Sequence, residues 1–228
     1  MPEISPAVLE SLFGLIVHDL RNPAATLGAN ISFVREVIND PSVPPQEVTE
    51  ALGDAQQALG DLMRGLDQLS WIGRWANDKV SASPAVIDVR AVFEAAKRRI
   101  KYGPVEFVMP PEGELRVRGG EAIERLIDLL VANAHQHAPQ KTVRVRAARD
   151  QDQVVIELED EGRPIGNDVR SLAFSLEGQV GLKGRAEGRY GRVAGLFVAS
   201  ILAAAAGARI ESAESQGKNL FRVRLSPA

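Results

Sequence analysis

The chemistry within reach of this chain starts at His18, Asp19 and Asn22, inside the string His18-Asp19-Leu20-Arg21-Asn22-Pro23. A neutral imidazole carries a lone pair that attacks electrophiles. A carboxylate beside it can hold the other ring N–H and take its proton. Asn22 follows four residues on, one turn along the same helix face. The apolar residues Phe13, Ile16, Leu20, Leu27, Ile31, Val34 and Ile38 recur at spacings of three, four and seven, which predicts one buried helical stripe. At about 100° per residue, His18 points roughly 170° away from the centre of that stripe, so its imidazole is expected to face solvent. Pro23 removes a donor and crowds the Asp19 carbonyl, which predicts a local kink just past the histidine. A lone histidine on a polar face is ordinarily a solvated residue without a role, so its meaning depends on the rest of the chain.

The six-residue string resembles the phosphoacceptor box of bacterial sensor histidine kinases: His, an acid, Leu or Phe, a basic residue, a polar residue and Pro. The resemblance implies that His18 accepts a phosphoryl group and that Asp19 orients the ring and accepts its proton. It also implies that Asn22 can align a water for dephosphorylating a partner.

Three further motifs follow in the second half. Asn133-Ala134-His135-Gln136-His137-Ala138-Pro139 closes a predicted helix over 121–137. His135 and His137 suit simple packing and capping at a helix C-terminus, where a cation is welcome. Asp160-Glu161-Gly162-Arg163-Pro164-Ile165-Gly166 follows a predicted strand. Asp, Gly and Pro after a strand suit an ordinary strand-to-loop turn. Gly191-Arg192-Val193-Ala194-Gly195-Leu196 opens a helix, where free N–H groups and the helix dipole attract phosphate. Lys183, Arg185, Arg189 and Arg192 add positive charge to the preceding loop, either to screen a polyphosphate or as solvated loop charges.

In order and spacing these motifs resemble the GHKL-type ATP-binding domain shared by histidine kinases, gyrase-type ATPases and related chaperones, over about 140 residues. The resemblance implies ATP and Mg²⁺ as cofactors. Asn133 would hold the metal, and Asp160 would read the adenine amino group. Asn133, His137, Asp160, Gly162, Gly191 and Gly195 would line the nucleotide. Three positions depart from the family pattern. Leu129 stands where another asparagine is usual, with Asp128 a substitute only if the helix register shifts. Pro164 and Val193 stand where glycines are usual.

Composition agrees with a folded, soluble protein. The 228 residues are 45% hydrophobic and 25% charged. The net charge of −3 argues against nucleic acid as the main partner. Without cysteine there is no disulfide or thiolate chemistry, and a reducing cytoplasm is compatible. The apolar stretch from Val193 to Gly207 is too short to span a bilayer, and the N-terminus lacks the pattern of a signal peptide. A cytoplasmic location, with no membrane segment and no input domain of its own, is therefore expected.

The elements that must position these residues are two long helices followed by alternating elements. The first helix is predicted over Pro6–Asn39. A proline-rich turn over Asp40–Pro45 separates it from the second, near Gln46–Trp75, whose Val48, Leu52, Ala55, Leu59, Leu62, Leu66 and Leu69 alternate four and three apart. Two antiparallel helices leave one side of each stripe uncovered, so a homodimeric four-helix bundle is expected. After the polar stretch from Asn77 to Pro84, helices are predicted at 89–100, 121–137, 167–174 and 191–206. Strands are predicted at 105–109, 114–118, 142–148, 153–159, 209–212 and 220–225, with a mobile loop over 175–189. The expected class is α+β: a helical hairpin over 1–78, a linker over 79–84 and a GHKL-type α/β sandwich over 85–228.

The function so implied is a soluble two-component histidine kinase. It would autophosphorylate His18 from ATP and pass the phosphoryl group to an aspartate on a response-regulator receiver domain. Leu129, Pro164 and Val193 keep open an alternative: a phosphotransferase or adaptor of the same fold that has lost ATP binding.

Overall fold

A computed structural model describes residues 6–100, 103–138, 140–162, 164–166, 170, 172–181 and 195–228. The side chains of Pro6, Ala7, Leu9, His137, Gln179 and Val180 lie outside that description. The chain divides into two compact units, one ending at Ser70 and the other running over Trp71–Ala228.

The first unit is a helical hairpin built from α1 (Pro6–Val37) and the greater part of α2 (Pro45–Ala76). Pro41, Pro44 and Pro45 stop the first helix and start the second. In the turn between them, Asp40 Oδ1 accepts from the Ser42 N–H at 2.9 Å. Helix α1 runs through Pro23 as a single element. Leu12, Leu15 and Ile16 of α1 are buried, as are Ala51, Ala55 and Ala58 of α2. The two helices meet at Gly65, where a Cβ would lie 2.5 Å from Leu20 Cδ2. The apolar stripe of α1 is therefore only partly covered within the chain. Phe13, Ile31 and Ile38 remain exposed, as do Leu52, Leu59, Met63 and Leu66 of α2. Two helices can cover only one flank of each other, which leaves the remaining apolar flank to solvent.

The second unit begins with β1 (Val86–Asp88) and α3 (Val89–Arg99), followed by β2 (Val105–Val108), β3 (Arg116–Arg118) and α4 (Glu121–His137). It continues with β4 (Val143–Asp150), β5 (Gln153–Asp160), α5 (Leu176–Gly181), α6 (Gly195–Ala205), β6 (Arg209–Ser215) and β7 (Lys218–Leu225). Five strands form one sheet in the order β2-β4-β5-β7-β6; only the β2–β4 pair is parallel. A separate two-stranded ribbon pairs β1 with β3.

Alternation sorts the sheet into two faces. Val143, Val145, Ile156, Leu158, Phe221, Val223 and Leu225 are buried, on the face shared with α4 and α6. On the opposite face, Glu157 accepts from Arg146 Nε at 2.7 Å and from Arg222 Nε at 2.8 Å, and Lys218 Nζ donates to Glu159 at 2.8 Å. Helix α6 is apolar almost all round and correspondingly buried. Its Phe197 ring meets Trp75 edge-on at 5.0 Å.

The structure corrects two details of the sequence reading. The stretch expected as a loop over 175–189 contains helix α5 in its described part, with the Ser175 hydroxyl accepting from the Gly178 N–H at 3.0 Å. Strand β1 was not anticipated; three residues are too few to show a period. Among the described residues no helix is long and apolar enough to cross a membrane.

Candidate active site

His18 lies on the exposed side of α1, its side chain 67% accessible, with Nδ1 3.3 Å from Asp19 Oδ1. A carboxylate only accepts, so in a neutral ring this contact suits the tautomer with the proton on Nδ1 and the lone pair on Nε2. Asp19 is itself only 18% accessible. Asn22 is exposed on the same helix. These three residues belong to the hairpin unit.

The nucleotide-site candidates belong to the second unit, and those described gather around the C-terminal half of α4. Asp160 ends β5 and is 4% exposed. Its Oδ1 accepts from the Gly162 N–H at 2.8 Å and from Asn219 Nδ2 at 3.0 Å. Burial pushes the Asp160 carboxyl above its ordinary range; these two donors pull the other way and favour the charged form. Gly162 is needed for the fit. A Cβ there would lie 2.8 Å from Asp160 Oδ1 and 3.7 Å from Ala138 Cβ, just past the end of α4.

Asn133 points from α4 toward the start of α6. A Cβ on Gly195 would lie 2.5 Å from Asn133 Oδ1, so the carboxamide occupies the space that glycine leaves. Asp160 with Gly162, and Asn133 with Gly195, are thus two pairs set on one stretch of helix, within Asn133–Ala138.

Other candidates are placed differently. Helix α4 keeps its register, with Leu129 buried. Asp128 faces α3 instead, where Arg99 Nε donates to its Oδ2 at 3.0 Å while Arg99 Nη1 donates to Glu124 at 2.8 Å. Asp128 therefore does not stand in for the missing asparagine. His135 is buried against Gly103, where a Cβ would come within 2.5 Å of the ring, and burial lowers its imidazole below the ordinary range. Pro164 is exposed. The His137 side chain, Arg163, Gly191 and Val193 lie outside the described residues, as do Lys183, Arg185, Arg189 and Arg192.

Sequence reasoning missed Asn219. It is 1% exposed on β7, directly across from Asp160. Its Oδ1 accepts from the Ile165 N–H at 2.8 Å, and Arg170 Nη2 donates to the Ile165 carbonyl at 2.8 Å. The loop after Asp160 is thus tied at both backbone groups of one residue. The available signal was an uncharged polar residue at an inward-facing strand position, beside Leu220-Phe221.

Residues 119–228 match the model of the family described as histidine kinase-, DNA gyrase B-, and HSP90-like ATPases. The sensor protein KdpD of Mycobacterium tuberculosis (strain CDC 1551) is 27% identical over 180 residues, 72% of this chain and 20% of KdpD. The chain spans between a fifth and three-tenths of the length of its curated relatives. Histidine kinase ThkA, solved in complex with response regulator protein TrrA, superposes with a TM-score of 0.61 at 15% identity, over 97% of this chain and 63% of that one. Acinetobacter baumannii histidine kinase AdeS gives 0.55 at 17% identity, over 92% and 98%. The fold is a helical N-terminal region followed by a GHKL-type α/β sandwich. The match to that ATPase family takes in residues 119–228, just under half of the chain.

Proposed function

We propose that this chain is a two-component histidine kinase that phosphorylates His18 from ATP and passes the phosphoryl group to an aspartate of a response-regulator receiver domain. The observation that carries the reading is an exposed imidazole, held through Nδ1 by Asp19, in a chain whose residues 119–228 match an ATPase family. Nε2 would attack the γ-phosphorus of ATP. The P–N bond forms as the bond to the β-phosphate oxygen breaks, ADP leaves, and Asp19 takes the Nδ1 proton. Asp160 would accept from the adenine amino group, with Gly162 giving the base close approach.

Mg²⁺ suits Asn133. The ion takes one or two protein oxygens and fills the rest of its shell with water and phosphate, so a single carboxamide serves even though, among the described residues, no acidic or histidine cluster is present. When bound, the ion would neutralise charge on the transferring group. His137, Gly191 and Gly195 complete the nucleotide-binding set in this reading, and Asn22 would align water for dephosphorylation. The hairpin, taken as residues 1–78, would dimerise as a four-helix bundle, joined by 79–84 to the ATPase domain at 85–228. The location would be cytoplasmic.

The test is incorporation of label from γ-labelled ATP into the purified chain with Mg²⁺. The wild type is expected to take up acid-labile, base-stable label, and His18→Gln none. Labelling of His18→Gln at the wild-type level would overturn the assignment. A wild type that accepts label only from a phosphorylated partner, and never from ATP, would instead establish the adaptor function.

A further inference from the structure

The carboxamide of Asn219 is held at its two ends by partners of opposite kind. The Ile165 N–H can only donate, so the amide oxygen must face it; the NH₂ group is then turned onto Asp160. On Asp160 both donors, Asn219 Nδ2 and the Gly162 N–H, fall on Oδ1. They fix the rotation of the carboxylate and keep it an acceptor, while Oδ2 carries neither bond. Asn219 is also the cross-strand partner of Asp160, so the β5–β7 register sets the distance between them.

We infer that Asn219 is a positioning residue for base selection: it fixes the Asp160 carboxylate as an acceptor, so that the site takes a purine bearing a 6-amino donor and rejects one without it. This rests on the reading of the second unit as an ATP site. A fixed acceptor gains a bond from an amino group and gains nothing from a ring hydrogen. It is repelled by a carbonyl oxygen at the same position. A carboxylate free to rotate would discriminate less, because it could turn its charge to other donors or to water. The competing role is a strut that ties the 161–166 loop to β7 without influence on the base.

The experiment titrates the full chain with Mg²⁺ and either ATP or purine riboside triphosphate, which differs only by the missing 6-amino group. Calorimetry gives Kd, and circular dichroism confirms the fold. The wild type is expected to bind ATP about tenfold or more tightly than the analogue. In Asn219→Leu, similar in size but without either polar end, the ratio is expected to shrink at least about threefold, through loss of ATP affinity alone. Asn219→Ala, which also lacks both polar ends, is expected to behave alike and decides the matter if the leucine variant does not fold. Equal weakening of both nucleotides, or an unchanged ratio, would reduce Asn219 to a strut and overturn the inference while ATP binding stands. A wild type that binds neither nucleotide would overturn the ATP reading, and the inference with it.

Discussion

At the scale of single residues, the site candidates differ in how their environment shows in the sequence. His18 was legible because a helical period fixes a direction: the stripe it predicts is only partly buried in the single chain, but the imidazole expected to face solvent is exposed. Asp160 was legible from its place at a strand end before glycine. Asn219 was not, because its role comes from strand pairing across 59 residues of sequence, which periodicity does not report. Burial at Asp160 has a consequence for stability. The carboxyl is raised above its ordinary 3.8, chiefly by desolvation. Folding therefore favours the protonated form, so the group's contribution to stability is full below that ordinary value and lost as pH rises through the folded one. Asp160→Asn keeps an acceptor oxygen for Gly162 and Asn219 and removes the charge. The variant is expected to melt above the wild type at pH 7, with the gap closing toward pH 4, while ATP affinity falls about tenfold or more. Thermal melts across that pH range, paired with ATP titration, check both halves; a variant that melts below the wild type at pH 7 would show that the donors outweigh the cost of burial.

At the scale of elements, long periodic segments were readable and short or context-dependent ones were not. Helix α4 has the bounds its pattern predicts, and α1 and α2 differ from expectation by at most two residues at any end. Strand β1 exists because β3 pairs with it, and α5 sits in a glycine-bearing stretch whose composition suggests a loop. Asp128 shows the same limit at an element boundary: its neighbour on α3, not its own helix, decides where its charge goes. The approach of α6 to α4 depends on Gly195, so Gly195→Ala is a test of that crossing. The new methyl would lie 2.5 Å from Asn133 Oδ1 and 2.7 Å from Nδ2, and the carboxamide must turn away. The rest of α6 packs through Leu196, Phe197, Val198 and Ile201, which the change leaves alone. The expected result is a folded protein whose Mg²⁺-dependent ATP affinity falls on the order of tenfold, the loss of one metal-linked contact. Titrations with and without Mg²⁺ separate this from general damage, which would lower both.

At the scale of the whole molecule, the question is what covers the apolar flank of the hairpin. Leu52, Leu59 and Leu66 stand seven residues apart on α2 and are each nearly half exposed in the single chain, with Met63 between them. On α1, Ile31 and Ile38 repeat the same interval. A sustained heptad row of large side chains in water is costly, and a second copy of the same hairpin offers a row of matching period. Burying one leucine contributes about 2 kcal/mol. A Leu59→Lys, Leu66→Lys double substitution removes four such burials from a dimer, enough to raise the dimer dissociation constant by several powers of ten. Because both side chains are exposed in the single chain, the close approach of α2 to α1 at Gly65 and Leu20 is expected to survive. Sedimentation equilibrium should therefore find the wild type as a dimer and the double variant as a folded monomer of unchanged helicity. A wild type that stays monomeric at tens of micromolar would assign the exposed row to a different partner and remove the bundle from the proposal.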